Sequence, residues 1–256
     1  GFIGSRVAAL LAPTYELDIW DLPDGDVCKP EAISEKFSSF RPEAVINFAG
    51  ILGGVGSQNV RDLFQTNFVG TLNLLEACRV AGVPTFVFAS SLTVHGMNAP
   101  DQPRMLTSPF NPIHAYGASK AASEYAMQEY ARRFGITAIA LRPTMVLGDT
   151  ATPHAPIEFI KGLLRGEEPV IFGTGDHERE WVWIDDVAAG FVRALEFSRT
   201  AKGFHPFFLS GNRVRMRDLA QMCARRLGGE IRFEPSGAKA FTLTADTAES
   251  DAALGW

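Results

Sequence analysis

Tyr116 and Lys120 stand four residues apart in His114-Ala115-Tyr116-Gly117-Ala118-Ser119-Lys120. On a helix, residues i and i+4 lie one above the other on the same face. The flanking Ala121, Ala122, Glu124, Tyr125 and Ala126 suit a helix. An ammonium group beside a phenol favours the phenolate and lowers its pKa. That is the chemistry of a general acid/base working near neutral pH. On its own, Tyr-x-x-x-Lys reads as a surface tyrosine beside a lysine. Its company changes that reading.

A second constellation opens the chain. Gly1-Phe2-Ile3-Gly4 has the form of the latter half of a glycine-rich loop that points a helix N-terminus at a pyrophosphate. Tyr15–Asp21 reads as the strand that follows, ending on Asp21. A carboxylate there accepts hydrogen bonds from an adenosine ribose and repels a 2′-phosphate, which favours NAD over NADP. Asp26, in Gly25-Asp26-Val27, is a further candidate for the adenine end. The strand that should precede such a loop is not in the sequence, so the chain is expected to be a fragment lacking its first strand.

The elements that must position these residues alternate. Strands are expected at Tyr15–Asp21, Ala44–Ala49, Thr85–Ser90 and Thr137–Arg142. Helices are expected at about Ser5–Ala12, Glu31–Phe40, Asn59–Ala81 and Ala115–Phe134, the last two closed by Gly82 and Gly135. The strands are nearly continuous in apolar residues, as in a parallel sheet buried on both faces. Alternation of this kind means βαβ units and a doubly wound, Rossmann-type α/β fold. After Gly148 the texture changes: a turn-rich stretch over 149–156, a helix over Ile157–Arg165, and strands at Pro169–Phe172 and Trp181–Ile184. The expected division is a dinucleotide-binding part over 1–148, with 185–198 packing back onto it, and a smaller substrate-binding module over 149–256.

Composition sets outer bounds. Of 256 residues, 46% are hydrophobic and 21% charged, the profile of a globular protein with a sizeable core. A net charge of −5 argues against a nucleic-acid partner. No apolar run approaches a membrane span. Cys28, Cys78 and Cys223 are odd in number and widely spaced. They fit no zinc pattern, and no metal is expected; they read as reduced thiols of a cytoplasmic protein without a leader peptide. His154 and His177 fall in loops and receive no role.

Together these motifs resemble the extended short-chain dehydrogenases/reductases, specifically the NAD-dependent epimerase/dehydratase branch with its sugar-nucleotide 4-epimerases. Val45-Ile46-Asn47-Phe48-Ala49-Gly50 is similar to the strand whose end lies against the cofactor, and Asn67 to Ala77 to a characteristic helix. Phe86 to Gly96 resembles the strand carrying the catalytic hydroxyl, here Ser91, with Thr93 close by. Leu141 to Gly148 resembles the segment beside the nicotinamide, including Pro143. Gly173-Thr174-Gly175, Arg179 and Trp181 to Val187 resemble the substrate-phosphate loop and strand.

The resemblance implies NAD as cofactor and Ser91, Tyr116 and Lys120 as catalytic residues. Gly1, Phe2, Ile3, Gly4, Asp21, Asp26, Val27, Phe48, Ala49, Gly50, Asn67, Tyr116, Lys120 and Pro143 would line the cofactor. Ser91, Thr93, Tyr116 and Arg179 would meet the substrate. It implies transient oxidation of a nucleotide sugar to a ketone and return of hydride to the other face. The alternatives are a net dehydrogenase or reductase of a sugar or other carbonyl compound and, in another class, a non-catalytic NAD-binding regulator. A homodimer through the two long helices is also implied. Three departures stand out: Leu92 and Thr93 replace the acidic pair of the dehydratases, His95 stands where tyrosine is usual, and Met145 where asparagine is common.

Overall fold

The computed structural model describes residues 1–52, 59–97, 102–149, 155–237 and 242–256. The first half runs α1 (Phe2–Leu11), α2 (Pro30–Phe40), β1 (Ala44–Asn47), α3 (Val60–Phe64), a π turn (Gln65–Val69), α4 (Gly70–Ala81), β2 (Thr85–Ala89), a 3-10 turn (Leu92–His95) and α5 (Ala115–Phe134). Then come β3 (Thr137–Pro143), β4 (Met145–Leu147), α6 (Ala155–Leu164), β5 (Val170–Phe172), β6 (Glu178–Trp183) and α7 (Ile184–Ser198). The chain closes with β7 (Phe204–Leu209), β8 (Asn212–Arg215), α8 (Met216–Leu227), β9 (Arg232–Glu234) and α9 (Ala248–Leu254).

The central sheet is parallel, in the order β1-β2-β3-β7. Strand side chains alternate between faces, and β2 follows that rule. Val87 and Ala89 join Ile139 and Leu141 against Val7 and Leu11 of α1 and Val187, Ala188 and Phe191 of α7. Phe86 and Phe88 join Ala138 and Ala140 against Ile33 and Phe37 of α2, Leu74, Leu75 and Cys78 of α4, and Met127 of α5. Burying each large apolar side chain contributes roughly 1.5–3 kcal/mol. Helices on both faces are what the continuous apolar runs require. α7 packs its apolar residues on this sheet, and β7 adds a last strand to it. Two smaller sheets, β4-β6-β8 and β5-β9, carry much of the rest of the second half. Their cluster buries Phe159, Ile171, Trp181, Met216 and Ala220.

Two expectations need correction. Among the described residues, Tyr15–Asp21 makes no strand ladder. Tyr15 and Leu17 pack against the main core, but Ile19 is 71% exposed, and β1 pairs only with β2. A segment becomes a strand only where a neighbour supplies backbone partners, and none is hydrogen-bonded to it. The helix expected over Asn59–Ala81 begins one residue later, capped by Asn59, and is interrupted by the π turn that holds Asn67. The turn expected over 149–156 falls largely outside the described residues, as does His154. No helix among the described residues is long and apolar enough to cross a membrane.

Candidate active site

β2 ends at Ala89 and delivers Ser90 and Ser91 to the carboxyl edge of the sheet. The Ser91 hydroxyl caps the 3-10 turn, accepting from the Thr93 amide at 3.2 Å and the Thr93 hydroxyl at 2.9 Å. Facing it is the first turn of α5, where Nδ1 of His114 caps the helix by accepting from the Gly117 amide at 3.0 Å. A Cβ on Gly117 would come within 2.6 Å of the Thr93 carbonyl oxygen, so only glycine lets helix and turn approach this closely. The approach brings the Tyr116 phenol beside Ser91, near enough for the serine hydroxyl to favour the phenolate. Lys120 lies one turn on, its Nζ 5.8 Å from the Tyr116 ring centre. Ser91, Thr93, Tyr116 and Lys120 are thus brought together, from two elements joined by a long loop.

The electrostatics differ from the sequence expectation. Burial pushes the Tyr116 phenol up to about 12, and the Ser91 hydroxyl opposes this. The ring keeps part of its surface open, yet the protein packed around its hydroxyl still dominates. Lys120 does not depress the phenol, because its ammonium is directed elsewhere. Nζ donates to the Ala89 carbonyl at 2.7 Å and sits 4.5 Å from the centre of the Phe88 ring. Burial pushes Lys120 down to about 7, with Glu124 pulling the other way.

Asn67 shapes the floor. Its side-chain oxygen accepts from the Ile51 amide at 2.7 Å, and its nitrogen donates to the Ile51 carbonyl at 3.0 Å and to Ser119 Oγ at 3.1 Å. A Cβ on Gly50 would lie 3.2 Å from Asn67 Oδ1 and 3.3 Å from Lys120 Nζ, so position 50 leaves its space clear. Phe48 stacks 4.6 Å from Phe191, while the Ala49 amide donates to Asn47 Oδ1 at 2.9 Å. Pro143 is buried at the end of β3.

At the start of α1, the Gly1 nitrogen lies 3.0 Å from Asp21 Oδ2, and Asp21 Oδ1 accepts from the Leu22 amide at 2.9 Å. Asp21 is therefore beside the glycine turn without a strand ladder to carry it there. Phe2, Ile3 and Gly4 form the first turn of α1. Asp26 caps a local turn through the Cys28 amide at 2.9 Å, and the Val27 carbonyl accepts from Asn73 of α4 at 3.0 Å. A glycine-flanked helix N-terminus, a carboxylate beside it and a glycine next to Lys120 fit a dinucleotide.

Arg179 is carried by a different sheet, on β6. Burial lowers it to about 10, and its Nη1 donates to the Glu178 carbonyl at 2.9 Å. The carboxylate of Glu178 pairs with Arg213 and Arg215, and Asp176 with Arg217. Met145 turns into the small core near Trp181. Among the described residues, no group of His, Cys, Asp and Glu could hold a metal ion.

Sequence reasoning missed a buried polar set behind the trio: Ser90, Glu124 and Arg142, with His95 noted only as a departure where tyrosine is usual. Arg142 is 2% exposed and Glu124 0%, and Arg142 Nη2 meets Glu124 Oε2 at 2.6 Å. The signal available was a charged residue at the end of an otherwise apolar strand.

Comparison with known proteins agrees with this geometry. The UDP-glucose 4-epimerase of Corynebacterium glutamicum is 29% identical over all of this chain and 88% of its own length. The Thermotoga maritima UDP-glucose 4-epimerase, solved with UDP-glucose, superposes with a TM-score of 0.88 at 26% identity, over 100% of this chain and 90% of that one. The Thermus thermophilus enzyme, solved with NAD, gives 0.86 at 26% identity with the same coverage. The sequence profile of the NAD-dependent epimerase/dehydratase family matches residues 1–207, the stretch that contains every element of the glycine turn, the trio and β6. The chain belongs to that family.

Proposed function

We propose that this protein is an NAD-dependent epimerase of a nucleotide sugar, acting through a transient ketone. The observation that carries the reading is Ser91 at the end of β2 set against Tyr116 in the first turn of α5, with Lys120 one turn along the same helix. Bound NAD supplies the hydride acceptor and donor. The protein's residues do the rest. Tyr116, as the phenolate, takes the proton from the reacting hydroxyl and later returns it. Ser91 hydrogen-bonds the same oxygen as charge develops there. Lys120 keeps a cation near both.

Gly1, Phe2, Ile3 and Gly4 hold the cofactor's phosphates, Asp21 its adenosine ribose, and Asp26 and Val27 the adenine end. Phe48, Ala49, Gly50, Asn67 and Pro143, with Tyr116 and Lys120, form the nicotinamide end. Arg179 anchors the substrate diphosphate, which its planar fork suits. That leaves the sugar ring free to present its other face. Thr93 lies beside the substrate oxygen, and Leu92 and Thr93 put no carboxylate there for an elimination. The substrate-binding module comprises 149–256 apart from α7 and β7. Exposed Val60, Val80, Tyr125 and Phe134 on α3, α4 and α5 support a homodimer through these helices. The free thiols of Cys28, Cys78 and Cys223 suit the cytoplasm.

The test is direct. Protein, NAD and a panel of uridine-, guanosine- and thymidine-diphosphate sugars are mixed; absorbance follows net NADH and NMR reads product stereochemistry. An inverted sugar without net NADH is the expected result. Stoichiometric NADH with an oxidised product would make the protein a dehydrogenase instead. Absence of any reaction would remove nucleotide sugars as substrates.

A further inference from the structure

Behind the reacting residues lies a closed chain of buried polar contacts that the proposed reaction does not use. Ser90 Oγ donates to Glu124 Oε1. Arg142 Nε reaches both Glu124 oxygens, at 3.0 and 3.2 Å, and Nη2 reaches Oε2 at 2.6 Å. On its other side, Arg142 Nη1 meets His95 Nε2 at 2.9 Å and the Leu106 carbonyl at 3.3 Å. His95 Nδ1 meets the Pro109 carbonyl at 3.2 Å. The guanidinium is flanked by Phe110 and Phe208, 5.3 and 5.7 Å from their ring centres. Ser90 is 3% exposed, Arg142 2%, and His95 and Glu124 0%.

Donor logic fixes the proton on the imidazole. Arginine has only donors, so Nε2 of His95 must accept and the ring hydrogen must sit on Nδ1, aimed at the Pro109 carbonyl. The ring is therefore neutral. Burial, reinforced by the Arg142 charge, keeps it so, with the His95 pKa down to about 4.

The residues at the ends of this chain give it meaning. Ser90 and His95 flank Ser91 on both sides, one at the end of β2 and the other at the close of the 3-10 turn. Glu124 lies on α5 one turn past Lys120 and two turns past Tyr116. The chain His95–Arg142–Glu124–Ser90 thus ties the segment bearing Ser91 to the helix bearing Tyr116 and Lys120. A buried ion pair is weak ground for stability, since apolar residues often serve as well. It is directional, however, and catalysis is sensitive to shifts of about 1 Å.

We infer that His95 is a positioning residue: by accepting from Arg142 it holds the turn that bears Ser91 in register with Tyr116 on α5. This rests on Ser91, Tyr116 and Lys120 being the reacting set. The experiment compares His95→Leu, His95→Gln and His95→Asn. Gln offers an acceptor near the place of Nε2; Asn offers one near Nδ1; Leu offers none. His95→Leu should lower kcat roughly 10- to 100-fold with KM and NAD affinity within about twofold, and His95→Gln should recover most of the loss where His95→Asn does not. Should His95→Leu fail to fold, the Gln and Asn pair decides alone. In protein carrying ¹³Cζ-tyrosine, the Tyr116 resonance, assigned by its absence in Tyr116→Phe, should move in the Leu and Asn variants and stay in place with Gln. That readout needs neither substrate nor cofactor, so it separates failure of the positioning role from failure of the reaction assigned above. An unmoved Tyr116 resonance in His95→Leu and His95→Asn would overturn the inference. So would a loss of kcat that Gln fails to restore.

Discussion

Two polar clusters sit within one helix turn of each other on α5 and treat charge in opposite ways. In the first, Lys120 is buried with one carbonyl and two aromatic rings as neighbours, and its pKa falls to about 7. Tyr116 beside it rises to about 12. In the second, Glu124 accepts from Ser90 and twice over from Arg142, whose Nη1 reaches His95 and Leu106. Burial displaces both groups of the first pair from their ordinary pKa values, a mark of reactive sites, and brings Lys120 near neutral pH. The second is closed on itself and can only hold position. Proximity to the site therefore does not separate chemistry from scaffolding; the completeness of hydrogen bonding does.

The largest expected effects are opposite in kind. Tyr116→Phe should lower turnover by roughly 10²–10⁴-fold while NAD affinity stays largely intact, as judged by calorimetry. Glu124→Ala should strand the Arg142 charge in the interior and destabilise the fold by about 3–5 kcal/mol, read from urea unfolding. Were the stability loss found in Tyr116→Phe instead, the division between the clusters would collapse.

Lys120→Met sharpens the contrast, because it should help the fold while it harms the reaction. The folded-state pKa of Lys120, about 7, lies below its ordinary 10.5. Between those values the unfolded chain binds more protons than the native one, so stability rises with pH across that window. Below it the whole cost of burying the ammonium is present, on the order of a few kcal/mol. Lys120→Met removes that cost, so its advantage over the parent should be greatest at or below pH 7 and shrink toward pH 10.5. Unfolding free energies at several pH values would check this, and a pH-independent difference would contradict the burial argument.

What the sequence made legible follows the range of the interactions. Tyr116, Lys120 and the bounds of α5 depend on local spacing and on Gly135, which ends the helix with φ 71°. The apolar run of β2 announced a strand covered on both faces. The ladder wrongly expected for Tyr15–Asp21 depended on a neighbour that local pattern cannot reveal. No strand was expected at Phe204–Leu209, which carries Pro206; proline is tolerated at a sheet edge, and among the described residues β7 pairs with β3 alone. The Arg142–Glu124–His95 contacts join residues far apart in the chain, and no spacing rule connects them. The sign of the Tyr116 shift was misjudged for a related reason: spacing located the lysine but could not show that its ammonium bonds Ala89.

The smallest effect lies at the amino end of α5, where His114 does for the helix what serine or asparagine does elsewhere. Its Nδ1 accepts from Gly117 at 3.0 Å, while the ring itself is exposed. His114→Ala should cost about 1 kcal/mol of stability, and His114→Ser should restore most of it, since a hydroxyl can make the same bond. Because the cap acts on the turn that carries Tyr116, the Ala variant should also lose a few-fold in kcat. A full stability loss in Ala with unchanged kcat would mean that the closed cluster deeper in the helix, not the cap, sets the position of Tyr116. The two clusters would then be coupled from below alone.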